Sequence, residues 1–132
     1  MKYDVVVIGA GASGMMAAIQ AAKKCSSEDR NRGHACYGSC KRVALLEVLS
    51  RPGKKILITG NGKCYRLDES CYHTDSGSTE DIISVIDRFD SKAVTDFFRE
   101  EGMLARDRDG YVYPYSEQAS SVLDCLRQCL AK

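Results

Sequence analysis

The chain has 132 residues, 44% of them hydrophobic, which fits the ~100–200-residue span of one domain around a single core. Its 19 Lys and Arg against 18 Asp and Glu leave a formal charge of +1 with no basic block, so nucleic-acid or membrane-surface binding gains no support. No apolar run approaches the ~20 residues that span a bilayer, and the seven cysteines (25, 36, 40, 64, 71, 125 and 129) contain no CxxC pair, so reduced thiols in the cytoplasm are the simplest reading.

Lys2 and the apolar residues after it do not make a secretory leader, because Asp4 and three glycines interrupt them. Residues 3–8, "YDVVVI", are β-branched and continuously apolar after Asp4, the pattern of a strand buried on both faces of a parallel sheet. "GAGASG" ends that strand. Residues 13–24, "SGMMAAIQAAKK", then predict a helix finishing in two lysines that suit its negative end. The polar stretch 25–41 reads as a surface insertion. Its His34, Cys36 and Cys40 supply at most three ligands at irregular spacing, so no metal site is expected. "RVALLEV", residues 42–48, is the next strand, and a parallel strand after a crossover helix implies a right-handed βαβ unit.

Beyond "SRPGKKILITGNG" the segment 63–78 is polar and turn-like. Ser78, with Asp81 three residues on, predicts the start of a helix with Ile82, Ile83, Val85, Ile86 and Phe89 on its apolar face. Asp90 or Ser91 caps the next helix, "KAVTDFFREE", which Gly102 stops. "MLARDRDGYVYPY" predicts two short strands around a turn at Asp107 to Gly110. Ser116 then caps a last helix whose Val122, Cys125, Leu126, Cys129 and Leu130 form one stripe.

Gly9, Gly11 and Gly14 fit G-x-G-x-x-G in the context that gives the pattern meaning: it follows a buried strand, opens a helix, and an acid, Glu47, closes the next strand. Gly9 permits the turn, Gly11 lets a diphosphate approach the backbone, and Gly14 lets helix and sheet pack closely. Glu47 suits a ribose diol and repels a 2′-phosphate, which favours FAD or NAD over NADP. It lies well beyond the usual ~20 positions after the glycines, an excess that the 25–41 insertion accounts for. These residues alone do not separate FAD from NAD.

"DVVVIGAGASGMMAA", "RPGKKILITGNGKC" (51–64) and "DGYVYPYSEQASSVLDCL" (109–126) together resemble the BaiN-like flavoproteins, also described as aminoacetone oxidase family FAD-binding enzymes. The resemblance covers nearly the whole chain apart from residues 25–41. It implies an α/β fold, a Rossmann-like FAD-binding domain of the two-dinucleotide-binding flavoprotein type, of which residues 1–132 are an N-terminal part, incomplete at the C-terminus. It further implies FAD as cofactor and NAD(P)H as electron donor. By the same resemblance Gly9, Gly11, Ala12, Ser13 and Gly14 meet the diphosphate and Glu47 the adenosine ribose. Lys54 and the run Thr59, Gly60, Asn61, Gly62, Lys63 and Cys64 continue toward the flavin, making 53–64 a second wall of the same site.

Lys54 and Lys55 also read as solvated surface lysines, and Cys64, without a paired cysteine, as a packing residue rather than a redox partner. Family members continue the loop as Arg-Cys-Asn-Leu-Thr-Asn, where this chain has Lys63-Cys64-Tyr65-Arg66-Leu67-Asp68. The expected function is the FAD-binding portion of a flavin-dependent oxidoreductase acting on a small-molecule substrate, inactive as this chain alone. The rival readings are an NAD-binding module of a dehydrogenase and a non-catalytic Rossmann remnant. No catalytic residue, substrate or oligomeric state follows from the residues.

Overall fold

The computed structural model describes residues 2–28, 42–60, 79–108 and 111–131. Most of the expected insertion, the segment 61–78 with the expected cap Ser78, and the Asp109-Gly110 pair lie outside them. The chain forms two compact units, Met1–Ile58 with Leu126–Lys132, and Thr59–Cys125.

The first unit is built on β1 (Val5–Ile8), α1 (Ala12–Glu28) and β2 (Val43–Leu46). The strands pair in parallel, Val5 opposite Val43 through Ile8 opposite Leu46. Asp4 starts the ladder twice over, its N–H donating to the Arg42 carbonyl at 2.9 Å and its carboxylate accepting the Arg42 N–H at 2.7 Å. The Arg42 guanidinium lies 5.3 Å over the Tyr3 ring, closing this end of the sheet. On α1, Met15, Ala18 and Ile19 are buried at the i, i+3, i+4 spacing of one helical face. The alanine keeps that face shallow, so the helix lies close to its sheet.

Three expectations change here. The β1 side chains alternate in burial, with Val6 52% and Ile8 85% exposed, and Leu46, the β2 partner of Ile8, is at 53%. In a two-stranded sheet one helix covers one face, and the apolar run that suits two-sided burial leaves its second face open. The helix continues past Lys24 to Glu28, since Cys-Ser-Ser-Glu contains no Gly or Pro to stop it. The second strand ends at Leu46, because the Glu47 carboxylate turns back onto the backbone N–H groups of Ala10 and Leu49.

A short helix, α2 (Lys54–Ile58), follows the Pro52-Gly53 turn. In the second unit come α3 (Thr79–Arg88), α4 (Ser91–Glu100), and the antiparallel hairpin of β3 (Ala105–Arg108) and β4 (Tyr111–Pro114). The cap of α4 is Asp90: its backbone is extended and its Oδ1 accepts the Ala93 N–H at 2.7 Å. Gly102, at φ 88°, ends the helix as expected, with its N–H on the Arg99 carbonyl at 3.0 Å. Phe97 and Phe98 are buried edge to face with ring centres 5.2 Å apart. Of the apolar residues expected along α3, Val85 and, just past the helix, Phe89 are exposed.

In the hairpin, Arg108 faces Tyr111, so β3 runs on through Asp107 and Arg108, and only residues 109–110 connect the strands. The "YPYSEQAS" stretch has a structural part to play. Arg108 lies 4.7 Å over Tyr113 and Arg106 lies 5.6 Å over Tyr115, and both arginines pair with Glu117. Those pairs hold Glu117 at φ 55°, a left-handed backbone that a glutamate adopts at a cost.

The last helix, α5 (Ala119–Ala131), starts three residues after Ser116, which is therefore not its cap. Ser116 Oγ accepts the Gln118 N–H at 3.3 Å and bonds Ser121 Oγ at 2.7 Å, while the Ala119 N–H goes to the Gly60 carbonyl at 3.0 Å. Val122, Cys125 and Leu126 are buried as expected, joined by Leu123. For α4, Asp90→Ala should lower stability by about 1 kcal/mol and Asp90→Asn by much less. Urea denaturation of both variants checks the cap, and equal losses would argue against it.

Candidate functional site

The glycine loop is shaped by two hydrogen bonds to one residue. Gly9 extends the ladder with its N–H on the Leu46 carbonyl at 2.8 Å, then turns the chain out of the sheet at φ 93°. Only glycine takes that conformation without strain. Ala10 is next and is 1% exposed. Its N–H donates to Glu47 Oε2 at 2.7 Å, and its carbonyl accepts the Gly53 N–H at 2.7 Å. The loop is thus fixed on one side by the end of β2 and on the other by the turn into α2.

The three glycines do different work. A Cβ on Gly14 would stand 1.8 Å from the Gly9 carbonyl oxygen, so this position sets how closely α1 approaches the end of β1. A Cβ on Gly11 would meet nothing within 4 Å. Among the described residues no packing contact requires a bare backbone at Gly11, and open space beside a glycine is the kind a close-lying ligand requires. The first internal bond of α1 is Met15 N–H to the Gly11 carbonyl at 2.9 Å, so the N–H groups of Ala12, Ser13 and Gly14 have no partner within the helix. They carry the partial positive charge of a helix start, beside that open space.

Glu47 is half-buried at the end of β2. Its Oε1 accepts the Leu49 N–H at 2.9 Å, and with the Ala10 bond this holds the carboxyl below the usual glutamate range, the Leu49 N–H contributing most. The Val48 N–H adds a smaller contribution of the same sign, and the carboxylate keeps acceptor capacity for an outside donor. The residue expected to meet a ligand is therefore also a brace for the glycine loop.

The expected second wall is not an open glycine loop over its first half. Gly53 is buried at φ 75°, and its carbonyl accepts the Ile56 N–H at 2.9 Å to start α2. Lys54 and Lys55 are both exposed on that helix. Thr59 and Gly60 are exposed and belong to the other unit, while Asn61, Gly62, Lys63 and Cys64 lie outside the described residues. The structure thus brings together Gly9, Gly11, Ala12, Ser13, Gly14 and Glu47.

Sequence reasoning missed Ala10, Gly53 and the Pro52 carbonyl, to which Arg127 Nη2 donates at 3.1 Å. The Pro-Gly dipeptide after the second strand is a turn signal that points to Gly53. Nothing in the sequence points to Arg127. No helix among the described residues is long and apolar enough to cross a membrane.

Residues 3–132 match the family model described as the HI0933-like protein Rossmann domain. The chain belongs to this family. The HI0933-like family is a Rossmann-domain family of flavoprotein oxidoreductases, in agreement with the resemblance carried by the three sequence motifs. This member is 39% identical over 130 residues to the 3-dehydro-bile acid delta(4,6)-reductase of Clostridium scindens, a match over 96% of this chain and 28% of that protein. It is 35% identical over 63 residues to the ribosomal RNA dihydrouridine synthase of Escherichia coli K12, over 48% of this chain and 12% of that protein. The chain therefore spans little more than a quarter of the first relative's length.

Two substitutions separate the glycines. Gly14→Ala should cost about 3 kcal/mol or more, because its methyl meets backbone, whereas Gly11→Ala should change stability by less than about 1 kcal/mol; thermal and urea unfolding of both decide. Glu47 gives a pH test. A carboxyl whose folded pKa lies below its unfolded value stabilises fully above the unfolded pKa, and the benefit is lost as pH falls through the folded one. The stability gap between the parent and Glu47→Gln should therefore be constant at neutral pH and close as pH drops below the usual glutamate range. A gap independent of pH would rule the brace out.

Proposed function

We propose that this chain is the FAD-binding portion of a flavin-dependent oxidoreductase, with the glycine loop as the seat of the cofactor's diphosphate. The observation that carries this reading is the open backbone at Gly11 beside the helix-start N–H groups of Ala12, Ser13 and Gly14, on a loop already held rigid through Ala10. A diphosphate needs converging N–H donors and no intervening side chain, and these residues offer both.

Glu47 receives the adenosine ribose with the acceptor capacity its internal bonds leave unused. Its charge disfavours a 2′-phosphate, which selects FAD or NAD against NADP, and membership of a flavoprotein family selects FAD. Lys54, with the run from Thr59 to Cys64, is assigned to the flavin side. When bound, FAD supplies hydride chemistry at its flavin ring. The residues of this chain bind and orient its adenosine half and keep the phosphates at a helix start. NAD(P)H is the proposed electron donor and the cytoplasm the proposed location. The names of the two relatives, a bile acid reductase and a dihydrouridine synthase, favour reduction of an unsaturated substrate.

Titration calorimetry with FAD, NAD and NADP, together with flavin fluorescence, tests the reading. FAD should bind with quenching, and NADP should bind roughly tenfold more weakly than NAD through repulsion by Glu47. A folded chain that neither retains nor quenches flavin would instead mark a non-catalytic Rossmann remnant. Tighter binding of NAD than of FAD would mark a dehydrogenase module.

A further inference from the structure

The peptide groups of the glycine loop are linked in series to a guanidinium outside it. Arg127, in the C-terminal half of α5, donates from Nη2 to the Pro52 carbonyl at 3.1 Å. That carbonyl and the Gly53 N–H belong to one peptide group, and the Gly53 N–H donates to the Ala10 carbonyl at 2.7 Å. The Ala10 carbonyl in turn shares its peptide group with the Gly11 N–H. There are no cis peptide bonds among the described residues, so the C=O and N–H of each group point in opposite directions. The series therefore runs from the guanidinium through peptide 52–53 and peptide 10–11 to the Gly11 N–H, which no backbone acceptor among the described residues takes.

We propose that Arg127 is a positioning residue for the diphosphate seat, holding and polarising the Gly11 N–H through these two peptide groups. The proposal rests on the nucleotide reading above. Two effects act in the same direction. The first is geometric: peptide 10–11 lies next to a glycine with no Cβ to restrict it, and anchoring its carbonyl on Gly53 fixes where the N–H points. Gly53 can serve as that anchor only while peptide 52–53 is itself held, and Arg127 holds its other end.

The second effect is electrostatic. A cationic donor on a carbonyl draws electron density along the amide and makes the N–H of that group a better donor, and successive bonds reinforce one another by about 10–30% each. The Arg127 bond is partly buried, which limits its screening by water. The last group in the series, the Gly11 N–H, belongs to a residue whose added Cβ would meet nothing within 4 Å, and so it becomes a better donor to an anion that approaches this bare backbone.

The test uses the 132-residue chain with Arg127→Met, which keeps the aliphatic stem and loses the donor, and Arg127→Lys, which keeps a cationic donor. Calorimetry with ADP is paired with nitrogen–proton correlation spectra of the chain without ligand. The Met variant should bind ADP about 3- to 10-fold more weakly, with the Gly53 and Gly11 amide protons shifted upfield, and Lys should recover most of both. Should the Met variant not fold, Arg127→Gln, a neutral donor, takes its place with a smaller loss of the same sign.

Unchanged ADP affinity and unmoved Gly11 and Gly53 amides in the Met variant would overturn the proposal. So would an equal loss of affinity in Met and Lys with the Gly11 amide unmoved, the signature of a structural clasp alone. If the parent chain binds no ADP, the nucleotide reading fails, and the Gly11 amide still decides the relay: moved in Met and restored in Lys supports it, unmoved in both overturns it.

Discussion

A trans peptide group can be gripped at both ends, and the two groups flanking Ala10 show what this does for a loop. On one side, the Gly9–Ala10 group gives its N–H to Glu47 while its carbonyl oxygen lies against Gly14, closer than a Cβ there would tolerate. On the other, the Ala10–Gly11 group gives its carbonyl to Gly53 and leaves its N–H directed away. Bonding Glu47 therefore presses the end of β1 onto the start of α1, and bonding Gly53 aims the Gly11 donor. The approach of helix to sheet, the orientation of the helix start and the placing of the turn into α2 all follow from these contacts.

Such a site is made almost wholly of backbone. Its donors are amide groups that the fold must immobilise in any case, so the entropy of ordering them is met on folding and not again on binding. A side-chain site of lysines would bring more charge but would have to order long, flexible stems each time. Among the described residues the ionisable group bonded to the loop is an acid, Glu47, and its bonds to backbone N–H groups favour its charged form and fix it. It thus presents acceptors in set directions instead of a mobile charge.

The sequence was legible wherever the governing physics is local. The order strand, glycine turn, helix, strand could be read from β-branched runs and helix formers, and the separate tasks of Gly9 and Gly14 agree with the backbone angle of one and the close contact of the other. The stop at Gly102 was readable for the same reason. Ser116 misled because serine favours turns as readily as caps, and the Gly60 carbonyl, distant in sequence, took the first N–H of α5. The run 54–58 became a helix because Lys-Lys-Ile-Leu-Ile contains no breaker once Gly53 has made its turn. The apolar residues of β1 announced a strand but not how many layers would cover it. The braces on the loop, Glu47 to Ala10 across 37 positions and Arg127 to Pro52 across 75, leave no local pattern to read.

Those sequence distances order events in time. A ribosome releases the glycine fingerprint first, Glu47 and Gly53 a good deal later, and Arg127 only with α5. Contacts so far apart along the chain form late and slowly, since long loops must close before they are rewarded. A nascent chain thus carries a recognisable dinucleotide motif well before α5 can fix its Gly11 amide. On the reading proposed above, the Gly11 donor is set only when α5 packs, so capture of a diphosphate there reports that this long-range contact has formed.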